Sequence, residues 1–272
     1  MAIEGNLYAA LEERFRAAGQ ATAFSIPGGP EVSYAALADD VARMANALVE
    51  LGVRPGDRVL VQVEKSIANV QLYLATLKVG AVYNPLNTAY TAAELDYFIR
   101  DAEPTLIVVP SEKVPRVEPI AAELKGARVV TMEADGSGSL TDLAKKQSTQ
   151  HETVTRDSDD LAALLYTSGT TGRSKGAMIT HRNLSSNAEV LHEYWGFVPG
   201  DVLLHALPIF HTHGLFVALN TAFLNMSKVI WLPKFETETV MRLMPEATVM
   251  MGVPTFYTRL LGNPAFGREH CA

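Results

Sequence analysis

Apolar residues along the chain fall alternately into runs with helical spacing and short continuous runs typical of buried strands. Over residues 34–51, apolar side chains recur every three to four positions, which is the spacing of one helix face. They are Leu37, Val41, Met44, Ala45 and Leu48. Ser33 is a favourable N-cap for this helix, and Gly52 is a favourable stop. The turn that follows leads into a predicted strand over 58–63.

This alternation continues to the end of the chain. Further helices are predicted over 67–79, from Thr91 onward, over 184–195, near 237–244 and from Pro254 onward. Further strands are predicted over 81–84, 106–109, 202–206, 229–232 and 248–253. Strands that alternate with helices are typical of a mainly parallel sheet covered on both faces. We therefore predict an α/β fold of layered, mainly parallel sheets flanked by helices.

Two of these helices carry specific predictions. Thr91 and Glu94 form a capping-box pattern, and Asn183 is a favourable N-cap for the helix over 184–195. The apolar stripe of that second helix predicts that Tyr194 and Trp195 belong to the core rather than to a surface for stacking. A polar stretch over 133–160 interrupts the alternation, and we interpret it as a surface excursion rather than a connector between subdomains.

The segment Tyr166 to Gly176, with the sequence YTSGTTGRSKG, combines hydroxyls, glycines and two cations. Glycines allow backbone N–H groups to turn toward an anion, hydroxyls add donors, and Arg173 and Lys175 add charge. Apolar runs at 161–165 and 177–179 bracket the segment and predict buried strands on both sides. This context favours a loop that binds polyphosphate over a flexible polar linker.

Two common phosphate-binding patterns are excluded by the order of residues. A Walker loop requires Gly-Lys followed by Ser or Thr, whereas Lys175 here follows Ser174 and precedes Gly176. The dinucleotide-like Gly136-Ser-Gly138 lacks the third glycine of that fingerprint.

Residue for residue, the segment resembles the signature of the acyl-adenylate-forming superfamily, which includes acyl-CoA synthetases, luciferases and adenylation domains of peptide synthetases. Three further segments resemble the same family in the same order, namely 77–86, 205–214 and 252–257. The resemblance implies an AMP-forming acid–thiol ligase with ATP, magnesium and CoA. It implies that ATP phosphates are bound by Thr167, Ser168, Gly169, Thr170, Thr171, Gly172, Arg173, Ser174 and Lys175. Thr170, Lys175 and His211 are the implied catalytic residues, and Arg173 is alternatively a solvated loop charge.

Composition limits the alternatives. The chain has 272 residues, 48% of them hydrophobic, and a formal net charge of −7, which argues against nucleic acid as a partner. Its single cysteine, Cys271, excludes an internal disulfide and a thiolate metal cluster. No apolar run reaches the length of about 18 residues that a membrane span needs, and the start lacks a signal-peptide pattern. A cytoplasmic location is therefore expected.

Three histidines, His205, His211 and His213, form a second cluster in the sequence. A metal site is one interpretation, but no Cys or acidic residue lies nearby to complete it. A neutral role in the core is the other general interpretation. The family resemblance implies that His211 approaches the adenylate and that His213 lines the acyl pocket.

Arg259 gives the most specific indication of substrate. A helix that begins near Pro254 places Thr255 and Arg259 one turn apart on the same face. The segments 84–90 and 205–215, taken with Arg259, closely resemble bacterial malonyl-CoA synthetases. A dicarboxylate such as malonate or methylmalonate needs a cation for its second carboxylate. His181 and Arg182 either reach phosphates of CoA or ATP or are solvated surface residues.

The resemblance also predicts how the chain is organised. Residues 1–165 are expected to form a first α/β subdomain, and 166–272 the phosphate loop with an incomplete second subdomain that forms a wall of the acyl pocket. Family members are about twice as long. The chain therefore resembles the first part of their large N-terminal domain, and the magnesium ligand and small C-terminal domain are expected beyond residue 272. By itself the chain is accordingly expected to be incomplete for turnover, and thus inactive or only partly active. The competing interpretations are a non-catalytic module that binds ATP or another anion, and a ligase for another small carboxylic acid.

Overall fold

A computed structural model describes residues 3–124, 126–167 and 174–271. The helices are α1 Leu7–Ala18, α2 Tyr34–Glu50, α3 Ile67–Lys78, α4 Ala92–Ala102, α5 Val114–Glu123, α6 Ser139–Ala144, α7 His181–Tyr194, α8 Asn220–Leu224, α9 Thr237–Leu243 and α10 Pro254–Leu261. The strands are β1 Thr22–Ser25, β2 Glu31–Ser33, β3 Arg58–Val61, β4 Val82–Pro85, β5 Leu106–Val109, β6 Arg128–Thr131, β7 Leu161–Thr167, β8 Lys175–Thr180, β9 Val202–His205, β10 Lys228–Trp231 and β11 Val249–Met250. A π-helix over His213–Leu219 leads directly into α8. Within the described part of the chain, no helix is both long enough and apolar enough to cross a membrane.

The chain divides into two compact units. The first comprises the residues up to Ala10 together with Ala38–Ser185, and the second comprises Leu11–Leu37 together with the residues from Ser186 onward. These boundaries differ from the predicted subdomains 1–165 and 166–272, because β8 pairs with β7 within the first unit. The predicted division stays a prediction about domains.

The first unit contains a six-stranded sheet with the order β6-β5-β3-β4-β7-β8. All neighbouring strands run parallel except β8, which is antiparallel to β7. Strand β5, with the sequence LIVV, is buried along its whole length, as is usual for a parallel strand covered on both faces. Helix α4 contributes Leu95, Phe98 and Ile99 to the core that this sheet shares with its helices.

The second unit contains a five-stranded sheet with the order β11-β9-β10-β1-β2. Strands β11, β9, β10 and β1 are parallel neighbours, and β2 is the antiparallel edge. A separate core lies against this sheet and includes Leu204, Ile230, Val240 and Leu260. The prediction of mainly parallel, layered α/β sheets is therefore confirmed in both units.

Local sequence signals located most of the elements correctly. Helix α2 starts at Tyr34, and the hydroxyl of Ser33 accepts from the N–H of Ala36 at 3.1 Å. The capping box of Thr91 and Glu94 is present at the start of α4. These are local hydrogen bonds between residues a few positions apart, so the sequence alone can predict them.

Three predictions about exposure and capping were wrong. Helix α7 starts at His181, and Thr180 instead of Asn183 occupies the capping position, because the Thr180 hydroxyl accepts from the Asn183 N–H at 3.2 Å. Tyr194 and Trp195 are exposed, and so is Met178 on β8. Apolar spacing marks a helix face or strand, but it does not show whether another element covers it. The helical segment over 213–224, together with α1, β1, β2, α5, β6 and α6, was not predicted.

Candidate functional site

The signature segment connects two antiparallel strands of the first unit. Tyr166 lies opposite Gly176, and Thr167 lies opposite Lys175, in the register of β7 and β8. The side chains of Thr167 and Lys175 are exposed. The predicted phosphate-binding residues Ser168, Gly169, Thr170, Thr171, Gly172 and Arg173 lie outside the described residues. At the described ends of the segment, a residue with a hydroxyl and a residue with an ammonium group thus stand opposite each other on paired strands.

Gly176 packs closely against Leu164 in the hairpin. A Cβ atom added at Gly176 would lie 2.9 Å from Cδ1 of Leu164, so the end of the leucine side chain would have to shift. Strand β7 is held on its other side by Asn84, whose side-chain amide donates to the Leu164 carbonyl at 3.1 Å. The hairpin is therefore seated on β4 by both backbone pairing and a side-chain hydrogen bond.

Arg182 stands at the start of α7 and pairs with a carboxylate. Its Nε lies 2.9 Å from Oδ1 of Asp159, and both side chains are largely exposed. A cleft beside this pair is lined mainly by acidic residues, with Asp157, Asp160 and Glu4 among them. A phosphate at this position would have to compete with Asp159 for the guanidinium, so the predicted role of Arg182 in substrate binding stays a prediction.

His181, next to Arg182, is fully buried in the first unit. Its Nδ1 accepts from the backbone N–H of Leu7 at 3.2 Å, which requires that nitrogen to be unprotonated. Burial and, to a lesser extent, the positive charge of Arg156 lower the pKa of His181 from 6.5 to about 4, while the charge of Asp160 opposes the shift. The imidazole is therefore a neutral structural group at neutral pH.

Acidification should consequently destabilise the first unit through His181. The unfolded chain binds a proton at its ordinary pKa of 6.5, whereas the folded state resists protonation until about pH 4. This stabilisation is complete above pH 6.5 and is lost as pH falls toward 4, by roughly 3 kcal/mol in total. Urea unfolding of the wild type and of His181→Asn, measured between pH 7.5 and 4, checks this expectation. The variant keeps an acceptor for Leu7 and should show a flatter pH profile. If the unfolding free energies of the wild type and the variant change equally with pH, His181 is not the group responsible.

His205 has a structural role in the second unit. It is buried, its Nε2 donates to the carbonyl of Gly214 at 2.8 Å, and its ring stacks on Trp231 with centroids 5.2 Å apart. A Cβ atom added at Gly214 would lie 2.1 Å from the carbonyl oxygen of Pro208. These contacts hold both ends of the segment 206–213 close together, which sequence spacing did not reveal.

His211 and His213 lie at the C-terminal end of the segment 206–213. His213 is the first residue of the π-helix, and the ring of His211 lies 4.4 Å from that of Phe210. Partial burial lowers the pKa of both histidines below the usual value of 6.5. Both imidazoles are therefore mainly neutral near pH 7 and can each donate one hydrogen bond and accept another. Insertions of π-helix into regular helices occur frequently at functional sites.

Arg259 extends from α10 in the same unit. Leu260 of this helix is buried, and Phe256 stacks on Phe235 with ring centroids 4.0 Å apart. The apolar side of the helix is thus fixed to the core, while Thr255 and Arg259 are exposed. The structure brings His211, His213 and Arg259 into one unit, as it does Thr167, Ser174, Lys175 and Arg182 in the other.

Residues 3–124, 126–167 and 174–271 contain no group of three or more His, Cys, Asp or Glu side chains that could hold a metal ion. The predicted magnesium ligand outside these residues stays a prediction.

Taken together, the two mainly parallel sheets and their flanking helices are those of an α/β domain, and β7 and β8 carry the two ends of the glycine- and hydroxyl-rich signature segment. The chain belongs to the AMP-binding enzyme family, whose sequence model matches residues 11–271. The resemblance to the acyl-adenylate-forming superfamily is thereby confirmed. The finding also confirms that the described sheets are part of the N-terminal domain of such ligases.

The proteins similar to this chain include several acid–CoA ligases. The crystal structure of apo MatB from Rhodopseudomonas palustris superposes on this chain with a TM-score of 0.94 and is 52% identical in sequence. The aligned region covers 98% of this chain and 52% of the MatB chain. A mitochondrial malonate–CoA ligase of Mus musculus is 33% identical over 83% of this chain and 38% of its own length. An oxalate–CoA ligase of Arabidopsis thaliana is 31% identical over 89% of this chain and 49% of its own length. The chain thus spans about half of the length of the MatB chain, and about half or less of the length of the two curated relatives.

Proposed function

We propose that the chain is the N-terminal part of an ATP-dependent acid–CoA ligase that uses malonate or methylmalonate. The observation that carries the proposal is the β7–β8 hairpin, which sets Thr167 opposite Lys175 at the two ends of the signature segment. The named substrates of the curated relatives support the choice of acid, since malonate and oxalate are both dicarboxylates. A ligase for another small carboxylic acid is the nearest alternative.

In the proposed first step, a carboxylate oxygen of the acid attacks the α-phosphorus of ATP. A bond forms between that oxygen and phosphorus, and pyrophosphate leaves, which produces an acyl-adenylate. The ammonium group of Lys175 and the hydroxyl of Thr167 bind the β- and γ-phosphates and offset the charge that develops on the leaving group. The binding energy acts mainly through positioning, because phosphoryl transfer needs little covalent chemistry from the protein.

In the second step, the thiol of CoA attacks the acyl carbonyl, and AMP leaves. Neutral His211 is proposed to contact the adenylate, and His213 to line the acyl pocket. Arg259 is proposed to bind the second carboxylate of malonate. Magnesium supplies charge neutralisation at the phosphates when it is bound, and no step above depends on a ligand to it from the described residues.

Malonate-dependent exchange of labelled pyrophosphate into ATP tests this proposal on the chain itself. Because the chain corresponds to only part of such a ligase, we expect at most weak exchange, which malonate increases. Lys175→Met should reduce that exchange at least tenfold, because the variant removes the cation and retains most of the side-chain volume. ATP binding is measured in parallel by calorimetry. Binding of ATP without acid-dependent exchange would favour the non-catalytic module, and absence of both would contradict the proposed function.

A cytoplasmic location is part of the proposal only as a prediction, since one of the relatives is by its name mitochondrial. Fractionation of cells that produce the protein would check it.

A further inference from the structure

Two side chains of α4 hold the two ends of the signature segment. The hydroxyl of Tyr97 donates to the carbonyl oxygen of Ser174 at 2.9 Å. The carboxylate of Asp101 accepts from the hydroxyl of Tyr166 at 2.6 Å. Tyr97 and Asp101 are four residues apart, so they lie on the same face of the helix. Neither residue belongs to the signature segment itself.

Aromatic packing keeps these two hydrogen bonds in place. The ring of Tyr166 lies 4.4 Å from that of Phe98 and 6.3 Å from that of Tyr97, and only 9% of Tyr166 is exposed. Burial, together with the hydrogen bond and charge of Asp101, raises the pKa of Tyr166 above its usual value. The phenol therefore stays protonated and acts as a donor to the carboxylate.

Helix α4 is a well-fixed support for this purpose. Its first turn is closed by the capping box of Thr91 and Glu94, and Leu95 and Ile99 anchor its opposite side in the core. Strand β8, in contrast, lies at the edge of its sheet and pairs with β7 alone among the described strands. Ser174, the residue that precedes β8, is thus held to the rest of the unit by Tyr97.

We propose that Tyr97 and Asp101 are positioning residues for ATP binding, an inference that rests on the proposed function. Tyr97 holds Ser174, which directly precedes Lys175, and Asp101 holds Tyr166, which directly precedes Thr167. Each contact therefore fixes a neighbour of one group that is proposed to bind phosphate. Fixing both groups before ATP arrives lowers the entropy cost of binding the polyphosphate.

Calorimetric titration of the full chain with ATP and, separately, with malonate tests this inference. The variants are Tyr97→Phe and Asp101→Ala, with Tyr194→Phe and Asp96→Ala as matched controls. Tyr194 is 83% exposed in the other unit, and Asp96 pairs with Arg100 on the surface of α4. We expect the ATP dissociation constant to rise about fivefold for Tyr97→Phe and about tenfold for Asp101→Ala. Malonate affinity should stay unchanged, as should both affinities in the controls.

A second measurement follows the ends of the segment without nucleotide. Hydrogen exchange of the peptide that covers 161–180 should be faster in Tyr97→Phe and Asp101→Ala than in the wild type. In addition, Tyr166→Phe combined with Asp101→Ala should weaken ATP binding no more than either change alone, because both remove the same hydrogen bond.

The outcomes separate this inference from the proposed function. Wild-type chain that binds ATP, with variants that bind it equally well, overturns the positioning role and leaves the ligase proposal intact. Faster exchange without weaker ATP binding also overturns it, because the contacts are then only structural. Equal loss of ATP and malonate affinity does the same, since it indicates general destabilisation. Wild-type chain that binds no ATP overturns the proposed function and the inference together, whatever the exchange rates show.

Discussion

Replacing Arg259 with leucine is expected to lower malonate use by about 100-fold while butyrate use changes by less than about threefold. The guanidinium is proposed to bind the second carboxylate of malonate through charge-assisted hydrogen bonds, each of which contributes about 1.5–3 kcal/mol. Butyrate has no second carboxylate, so its binding does not depend on the Arg259 guanidinium. Because Arg259 is exposed on α10 while Leu260 is buried, the substitution should leave the fold unchanged.

Acid-dependent ATP–pyrophosphate exchange with malonate, acetate and butyrate measures this selectivity, and calorimetry with malonate measures binding without turnover. Arg242→Leu is a suitable control, because Arg242 is also an exposed arginine in the last turn of a helix of the second unit. If Arg259→Leu lowers exchange equally with all three acids, or if Arg242→Leu lowers malonate-dependent exchange as much as Arg259→Leu does, Arg259 does not bind the second carboxylate of a dicarboxylate.

Substituting alanine for Gly214 is expected to destabilise the second unit by about 3 kcal/mol or more. The new Cβ would lie 2.1 Å from the carbonyl oxygen of Pro208 and 3.1 Å from Cβ of Leu207, so backbone has to move. The same movement would disturb the hydrogen bond from His205 to the Gly214 carbonyl. His211 and His213 would then lose their positions as well, so any malonate binding should fall with stability.

Urea unfolding of the variant provides the measurement, and Gly200→Ala is the matched control. Gly200 has φ of +97° and no atom within 4 Å of an added Cβ, so it isolates backbone strain from steric overlap. That control should cost about 1 kcal/mol. If Gly214→Ala unfolds at the same urea concentration as the control, the close approach of Gly214 to Pro208 does not contribute to the stability of the second unit.

Different kinds of signal account for what could be predicted from the sequence. The capping box at Thr91 and Glu94 and the cap at Ser33 each join residues three positions apart, so the sequence alone can predict them. The alternation of apolar runs similarly predicted the parallel sheets. The exposure of Tyr194 and Met178 was missed, because their apolar character marks an element without showing what packs against it.

The candidate site shows the same distinction. The signature segment, His211, His213 and Arg259 could be named from residue types and their order, and their roles remain predictions. His205 looked equivalent to the other histidines, but it is buried against Trp231 and bonded to Gly214. Arg182 was expected either to reach a phosphate or to be solvated, and the sequence did not show that its exposed guanidinium pairs with Asp159, 23 residues away.

By itself, the sequence determined the family, the α/β class and the segment proposed to bind phosphate, because these depend on local patterns and on a long motif. The tertiary structure alone decided which residues hold the ends of that segment. Tyr97 and Ser174 are separated by 77 residues, and Asp101 and Tyr166 by 65. Contacts over such distances arise only when β7, β8 and α4 are assembled on one sheet, and no periodicity or motif in a single chain specifies them.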